Sequence, residues 1–295
     1  MPLKNDQERH SVAFYEHGLP VFFDRESEAR RLAGAILKRE SLVICGPAGI
    51  GKTALASKVI RDLPAELRTR CLYLKGMKDL QDMLRQLIRG LYEVKDPNLR
   101  QQLHIEGVSV LTIEAWVKAL PTSRLRGTLY RTVEQGDYRI FLDHVPSLTR
   151  AVAKVIKELF WMRKTPVYLL VRDAMESRVS EFSRSFYWGD REQLSLPPLP
   201  AEAAAELLES CIGQFGLSQF DLGGFREEIL GLSKQVPGAI VQMCALAADP
   251  RYRYGSRIKT KSVYIDYLMS GQKQSVPLPD PKRSGSGALG NTSKG

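Results

Sequence analysis

Gly46, Pro47, Ala48, Gly49, Ile50, Gly51, Lys52 and Thr53 complete the pattern G-x-x-x-x-G-K-[ST]. Each position serves one task, the holding of a polyphosphate. Glycines let backbone N–H groups turn inward around phosphate oxygens, where a side chain would block the approach. A helix beginning near Lys52, with Ala54 in its first turn, points the positive end of its dipole at the same anions. Lys52 then reaches the β- and γ-phosphates, and the Thr53 hydroxyl ligates Mg2+. The setting agrees. The apolar run Ser41-Leu-Val-Ile-Cys45 precedes the octet, and Ala54 to Ile60 follows with helical spacing. The octet predicts a site for a nucleoside triphosphate.

Such a loop needs an acid to hold the metal ion. Ile140-Phe-Leu-Asp143 offers one: a buried strand ending in a carboxylate at the C-terminal edge, where ligands bind in parallel sheets. Thr53 and Asp143 are therefore the expected metal ligands. His144 comes next. Its unperturbed pKa suits a general base at neutral pH, whereas a protonated ring beside Mg2+ would contact a phosphate instead. The residue type alone allows both. Arg172 closes the apolar run Tyr168-Leu-Leu-Val-Arg172, where a cation would face the γ-phosphate. Arg178, Arg184 and Arg191 follow in a polar stretch, each a candidate to reach the nucleotide of a neighbouring subunit.

The elements that must position these residues alternate between short apolar runs and helical stretches, the signature of a parallel α/β sheet. Strands are expected at 41–45, 70–75, 138–143, 166–171 and about 192–196. A long helical insert, including Leu80 to Leu91 and Thr112 to Leu120, separates the second from the third. Val152, Val155, Ile156, Leu159 and Phe160 make residues 151–162 an amphipathic helix that packs on the sheet. Leu196-Pro-Pro-Leu-Pro200 suits neither a helix interior nor a central strand, and reads as a hinge. Helices at 201–212, about 222–233 and 238–248 follow, with no strand before the tail, which is the pattern of a small helical lid.

The expected organisation is an N-terminal extension at 1–18, an α/β nucleotide-binding domain at 19–196, the lid at 197–250 and a tail at 251–295. The net charge of +10 sits mostly in that tail, with nine lysines and arginines against Asp266 and Asp280. Arg251, Arg253, Arg257, Lys259 and Lys261, interleaved with Tyr252 and Tyr254, would suit phosphates and bases of DNA, or simply a solvated face. From Gly271 onward Gly, Ser, Pro and Lys prevail, and disorder is expected. No run of 18 apolar residues appears, so no membrane partner is expected, and the first residues lack the apolar core of a signal peptide. Cys45, Cys71, Cys211 and Cys244 have no metal-site spacing, and a reducing cytoplasm is the expected compartment.

In this order the motifs of residues 20–250 resemble the AAA+ and STAND superfamily of P-loop ATPases, in particular NB-ARC/NACHT-like and origin-initiator-like modules. Leu19-Pro-Val-Phe-Phe-Asp-Arg-Glu-Ser-Glu28 looks like the family's opening motif, an apolar pair and Gly-Arg-Glu lying along the adenine, with Asp24 in place of glycine and Arg25 carried over. Ile140 to Val145 is similar to the family's acid-acid ending, with His144 where the water-polarising acid stands. Tyr168 to Arg172 looks like the strand of the sensor arginine. Ser233-Lys-Gln-Val-Pro-Gly-Ala-Ile240 resembles the Gly-x-Pro segment of the lid, with Val236 read at the glycine and Pro237 near the base. The resemblance implies sheet order 5-1-4-3-2, a mobile lid, ATP as the nucleotide, ATP-dependent self-association and an effector protein. The functions to weigh are a slow Mg2+-dependent ATPase acting as a switch or motor, a nucleotide-binding scaffold that does not hydrolyse, and a DNA-associated ATPase.

Overall fold

The computed structural model describes residues 24–109, 112–145, 149–162, 165–172 and 193–273. Five parallel strands form the sheet: β1 (Leu42–Gly46), β2 (Cys71–Leu74), β3 (Arg139–Leu142), β4 (Val167–Arg172) and β5 (Gln193–Ser195). Their spatial order is β2-β3-β4-β1-β5, the expected order read from the other edge. The three central strands are apolar and buried along nearly their whole length, as strands covered on both faces must be. The edge strand β5 buries only Leu194 of its three residues.

Side chains alternate across the sheet with period two. Val43, Cys45, Ile140, Leu142, Val167, Leu169 and Val171 enter one apolar cluster. Leu42, Ile44, Phe141, Tyr168 and Leu170 enter another on the opposite face. That second face is covered by α1 (Glu26–Lys38) and α2 (Lys52–Asp62), with the single turn α3 (Ala65–Arg68) leading into β2. The first is covered by α4 (Leu80–Glu93), α5 (Pro97–Ile105), α6 (Ile113–Ala119), α7 (Thr122–Gln135) and α8 (Arg150–Trp161). Asp79 and Asp96 cap α4 and α5 by accepting from the Asp82 and Leu99 N–H groups, which fixes where the insert's helices begin. Helix α8 buries Val152, Val155, Ile156 and Leu159 as its spacing predicts.

Beyond Pro197-Pro198, a separate apolar cluster gathers α9 (Ala201–Gln214), α10 (Phe225–Ser233) and α11 (Pro237–Ala247). The expected boundary at residue 250 falls inside this cluster. Tyr252 and Val263 belong to its buried core, carried by a short hairpin, β6 (Arg253–Tyr254) and β7 (Arg257–Ile258), and by α12 (Thr260–Lys273). Buried Val263, with half-buried Tyr264 and Tyr267 packed against the same core, gives this basic segment its apolar face. Gly271 is helical too, so the disorder expected from that residue does not begin there. The segments 1–23, 173–192 and 274–295, with Arg178, Arg184 and Arg191, lie outside the described residues.

Candidate functional site

Strand β1 delivers Gly46 to the C-terminal edge of the sheet, and the chain turns there into α2. Gly51 caps α2 with φ 103°, a backbone conformation closed to most side chains. Ile50 anchors the turn in the core, while Ala48 and Gly49 are exposed at its crest and Ala54 is half-buried in the first helical turn. Lys52 folds back over the loop, its Nζ donating to the carbonyl oxygens of Gly46 (2.6 Å) and Pro47 (2.8 Å). Its ammonium therefore stands inside the cradle that the glycines form.

Asp143 lies one residue beyond β3 and is buried, its N–H donating to the Leu74 carbonyl. Oδ2 accepts from the Thr53 hydroxyl at 2.5 Å and from the Tyr73 hydroxyl at 2.8 Å. Oδ1 accepts from the His144 backbone N–H at 2.8 Å and faces His144 Nδ1 at 3.0 Å. Burial works to raise the Asp143 carboxyl pKa, but the bonds from His144, Thr53 and Tyr73 outweigh it and hold the group below its ordinary value. His144 adopts a left-handed backbone (φ 51°) and leaves about half its side chain exposed (53%). The bond to Asp143 raises its pKa, against the opposing effects of burial and of the Arg172 and Lys52 charges. With Nδ1 turned to the carboxylate, Nε2 is the ring atom directed away from it.

Arg172 ends β4 directly opposite Gly46 in the strand register, exposed at the same edge. Arg172 is near enough to His144 for its charge to oppose protonation of the ring, so the arginine stands at the same edge as the loop, the acid and the histidine. Asp24 has a left-handed backbone (φ 45°), the conformation for which the resemblance placed a glycine. Arg25 is buried and turned toward the linker, donating to Glu28 (2.9 Å) and to the Pro197 carbonyl. It joins α1 to the hinge. A cavity of about 420 Å³ between α5 and α7, lined by residues including Gln102, Glu106, Arg124 and Arg131, shares no residue with this set.

The lid meets the loop through Gly238. Gly238 N–H donates to the Gly49 carbonyl at 2.8 Å, and a Cβ on Gly238 would stand 2.8 Å from Gly49 Cα. Pro237, the first residue of α11, and Val236 flank this contact. The glycine position of the Gly-x-Pro resemblance needs correction. Val236 has an ordinary φ of −81°, whereas Lys234 (φ 50°) and Gln235 (φ 59°) carry the left-handed backbone. Two residues escaped the sequence reading. Tyr73 reads only as a strand residue, and Gly238 only as the first residue of a lid helix.

The donor set fits magnesium. Thr53 and Asp143 offer hard oxygen ligands in contact with one another. Among the described residues no group of three or more His, Cys, Asp or Glu side chains could enclose a metal. One carboxylate and one hydroxyl suit an ion that keeps its waters and shares phosphate oxygens.

No protein-family model and no curated protein matches the chain. Solved structures do. A Walker-type ATPase of Pyrococcus abyssi is similar at 15% identity with a TM-score of 0.56, over 86% of this chain and 75% of that one. The Aeropyrum pernix ORC2 protein, solved as ADPNP and ADP complexes, is similar at 15% identity with a TM-score of 0.49, over 88% and 70%. A signal-transduction ATPase with numerous domains and a tetratricopeptide repeat sensor from Pyrococcus horikoshii is similar at 17% identity with a TM-score of 0.46, over 85% and 33%. The chain shares its fold, a five-stranded parallel α/β sheet, with the Walker-type ATPase of Pyrococcus abyssi. No helix among the described residues is long and apolar enough to cross a membrane.

Proposed function

We propose that this chain binds ATP with Mg2+ and hydrolyses it slowly, serving as a nucleotide-driven switch. The carrying observation is the contact between Thr53 and Asp143 across 90 residues of sequence, which sets a hydroxyl and a carboxylate beside the phosphate cradle. Lys52 leaves the Gly46 and Pro47 carbonyls and bonds the β- and γ-phosphate oxygens, while the N-terminus of α2 adds its N–H groups. Thr53 and Asp143 would hold the magnesium ion, which when bound neutralises charge on the phosphates. His144, oriented by Asp143 through Nδ1, accepts at Nε2 the proton of the attacking water as the bond to the ADP leaving oxygen breaks. Arg172 meets the negative charge of the γ-phosphoryl group. Lid position follows occupancy of the loop through the Gly49–Gly238 contact.

Calorimetry with ATP and Mg2+ tests the binding, and absence of heat from the folded protein would overturn it. A second reading, a scaffold that binds without turnover, is favoured by a half-exposed histidine in place of an acid. Binding with no turnover would decide for it. Self-association and an effector protein rest on the resemblance. DNA binding by the tail is weaker support for a function, because Arg251 faces Asp249 and Asp266, Arg257 faces Asp221, and Arg253 lies over the Phe220 ring.

A further inference from the structure

We infer that Tyr73 is a positioning residue for the metal site, fixing the Asp143 carboxylate so that Thr53 can exchange its bond to Asp143 for a bond to magnesium. The inference rests on the nucleotide reading above. Its ground is the way Asp143 is gripped. A carboxylate offers about four acceptor sites, and here Thr53 and Tyr73 share Oδ2 while the His144 N–H and Nδ1 share Oδ1.

Binding an ion between Thr53 and Asp143 removes one of these bonds, since the Thr53 hydroxyl proton must turn away from Oδ2. The Tyr73 bond then remains the restraint on that oxygen. Without it, the carboxylate would be steered only from its far edge, and the ligand oxygen would swing.

Tyr73 is built for this. Its ring lies in register with Phe141 and Tyr168 on neighbouring strands. The three stack in a ladder, with centroids 5.8 Å and 4.5 Å apart. Such stacking leaves the phenol little freedom to rotate away. A phenol ordinarily titrates at about pH 10, so its hydroxyl is a donor at neutral pH. A neutral donor orients the ligand without cancelling its charge, as a lysine in the same place would. Outer partners of metal ligands set affinity in this manner, and their loss typically costs about 10- to 100-fold.

The test is Tyr73→Phe, which keeps the ring and its stack. Binding of ATP to the full chain is measured by calorimetry over a series of Mg2+ concentrations, and again with EDTA. The Mg2+ needed for half of the affinity gain should rise about 10-fold or more, while affinity for metal-free ATP stays within twofold. Tyr168→Phe serves as the control. It removes a hydroxyl from the same ladder, but one that bonds the Ala35 carbonyl and not Asp143. Unchanged Mg2+ dependence in Tyr73→Phe, or an equal shift in Tyr168→Phe, would overturn the role of Tyr73. A wild-type protein whose ATP affinity ignores Mg2+ would overturn the nucleotide reading together with it, and the two failures are distinct.

Discussion

Lys52 illustrates how one side chain serves two states. Bonded to the Gly46 and Pro47 carbonyls, it stabilises a loop whose crest is otherwise exposed, and the same ammonium is placed to meet phosphates. A charge-assisted hydrogen bond contributes about 1.5–3 kcal/mol. Lys52→Ala should therefore weaken ATP binding by about 10- to 100-fold and abolish turnover, as read by calorimetry and phosphate release. His144 separates the two readings. If it is the base, His144→Ala lowers turnover by about 10²- to 10⁴-fold with ATP affinity retained. If the protein is a scaffold, His144→Glu instead creates turnover where none existed. Single-turnover phosphate release on both variants distinguishes these cases.

The contact between the loop and α11 belongs to the scale of elements. A Cβ at Gly238 would approach Gly49 Cα and O to 2.8 and 2.9 Å, and both are backbone atoms that cannot rotate aside. Gly238→Ala should lift α11 from the loop and speed amide exchange over residues 235–240 several-fold, a change read by mass spectrometry on nucleotide-free protein. The strain of such overpacking is about 1–3 kcal/mol. Gly231, inside α10, has nothing within 4 Å of an added Cβ. Gly231→Ala should accordingly raise stability by about 0.5–1 kcal/mol. A destabilised Gly231→Ala, or a Gly238→Ala with native exchange rates, would contradict this account of the lid contact.

At the scale of the whole molecule, two bodies with separate apolar clusters are joined by few devices. Leu196 ends one cluster and Leu199 begins the other, with Pro197-Pro198 between them. Val236 packs against both, and Arg25 fastens α1 to the Pro197 carbonyl. The tail is part of the second body. Truncation after residue 250 would remove Tyr252 and Val263 from its core. Fully burying such side chains stabilises by about 1.5–3 kcal/mol each. The truncated lid should be cleaved readily by protease while 24–196 persists, and a protease-resistant lid would argue that α12 is only peripheral. A test of DNA binding is therefore better made with Lys259→Glu and Lys261→Glu in the full chain, which alter charge and leave the core.

What the sequence determined by itself was local. The backbone conformations this loop needs are open to glycine and closed to most other residues, so Gly46 to Thr53 mark the loop in the sequence itself. Short apolar runs and helical spacing likewise marked the five sheet strands and the lid helices, because burial on both faces of a strand or on one face of a helix selects neighbouring residues. The strand order was expected from the resemblance and depends on packing. Tertiary structure alone decided that Tyr73 grips Asp143 beside Thr53, and which glycine receives the lid. Thr53 and Tyr73 lie 90 and 70 residues from it. No local pattern encodes the Tyr73 contact, since it requires β2 to sit beside β3. The helix of the tail was hidden for the related reason that its few apolar side chains find their partners on α11, far from the basic residues around them.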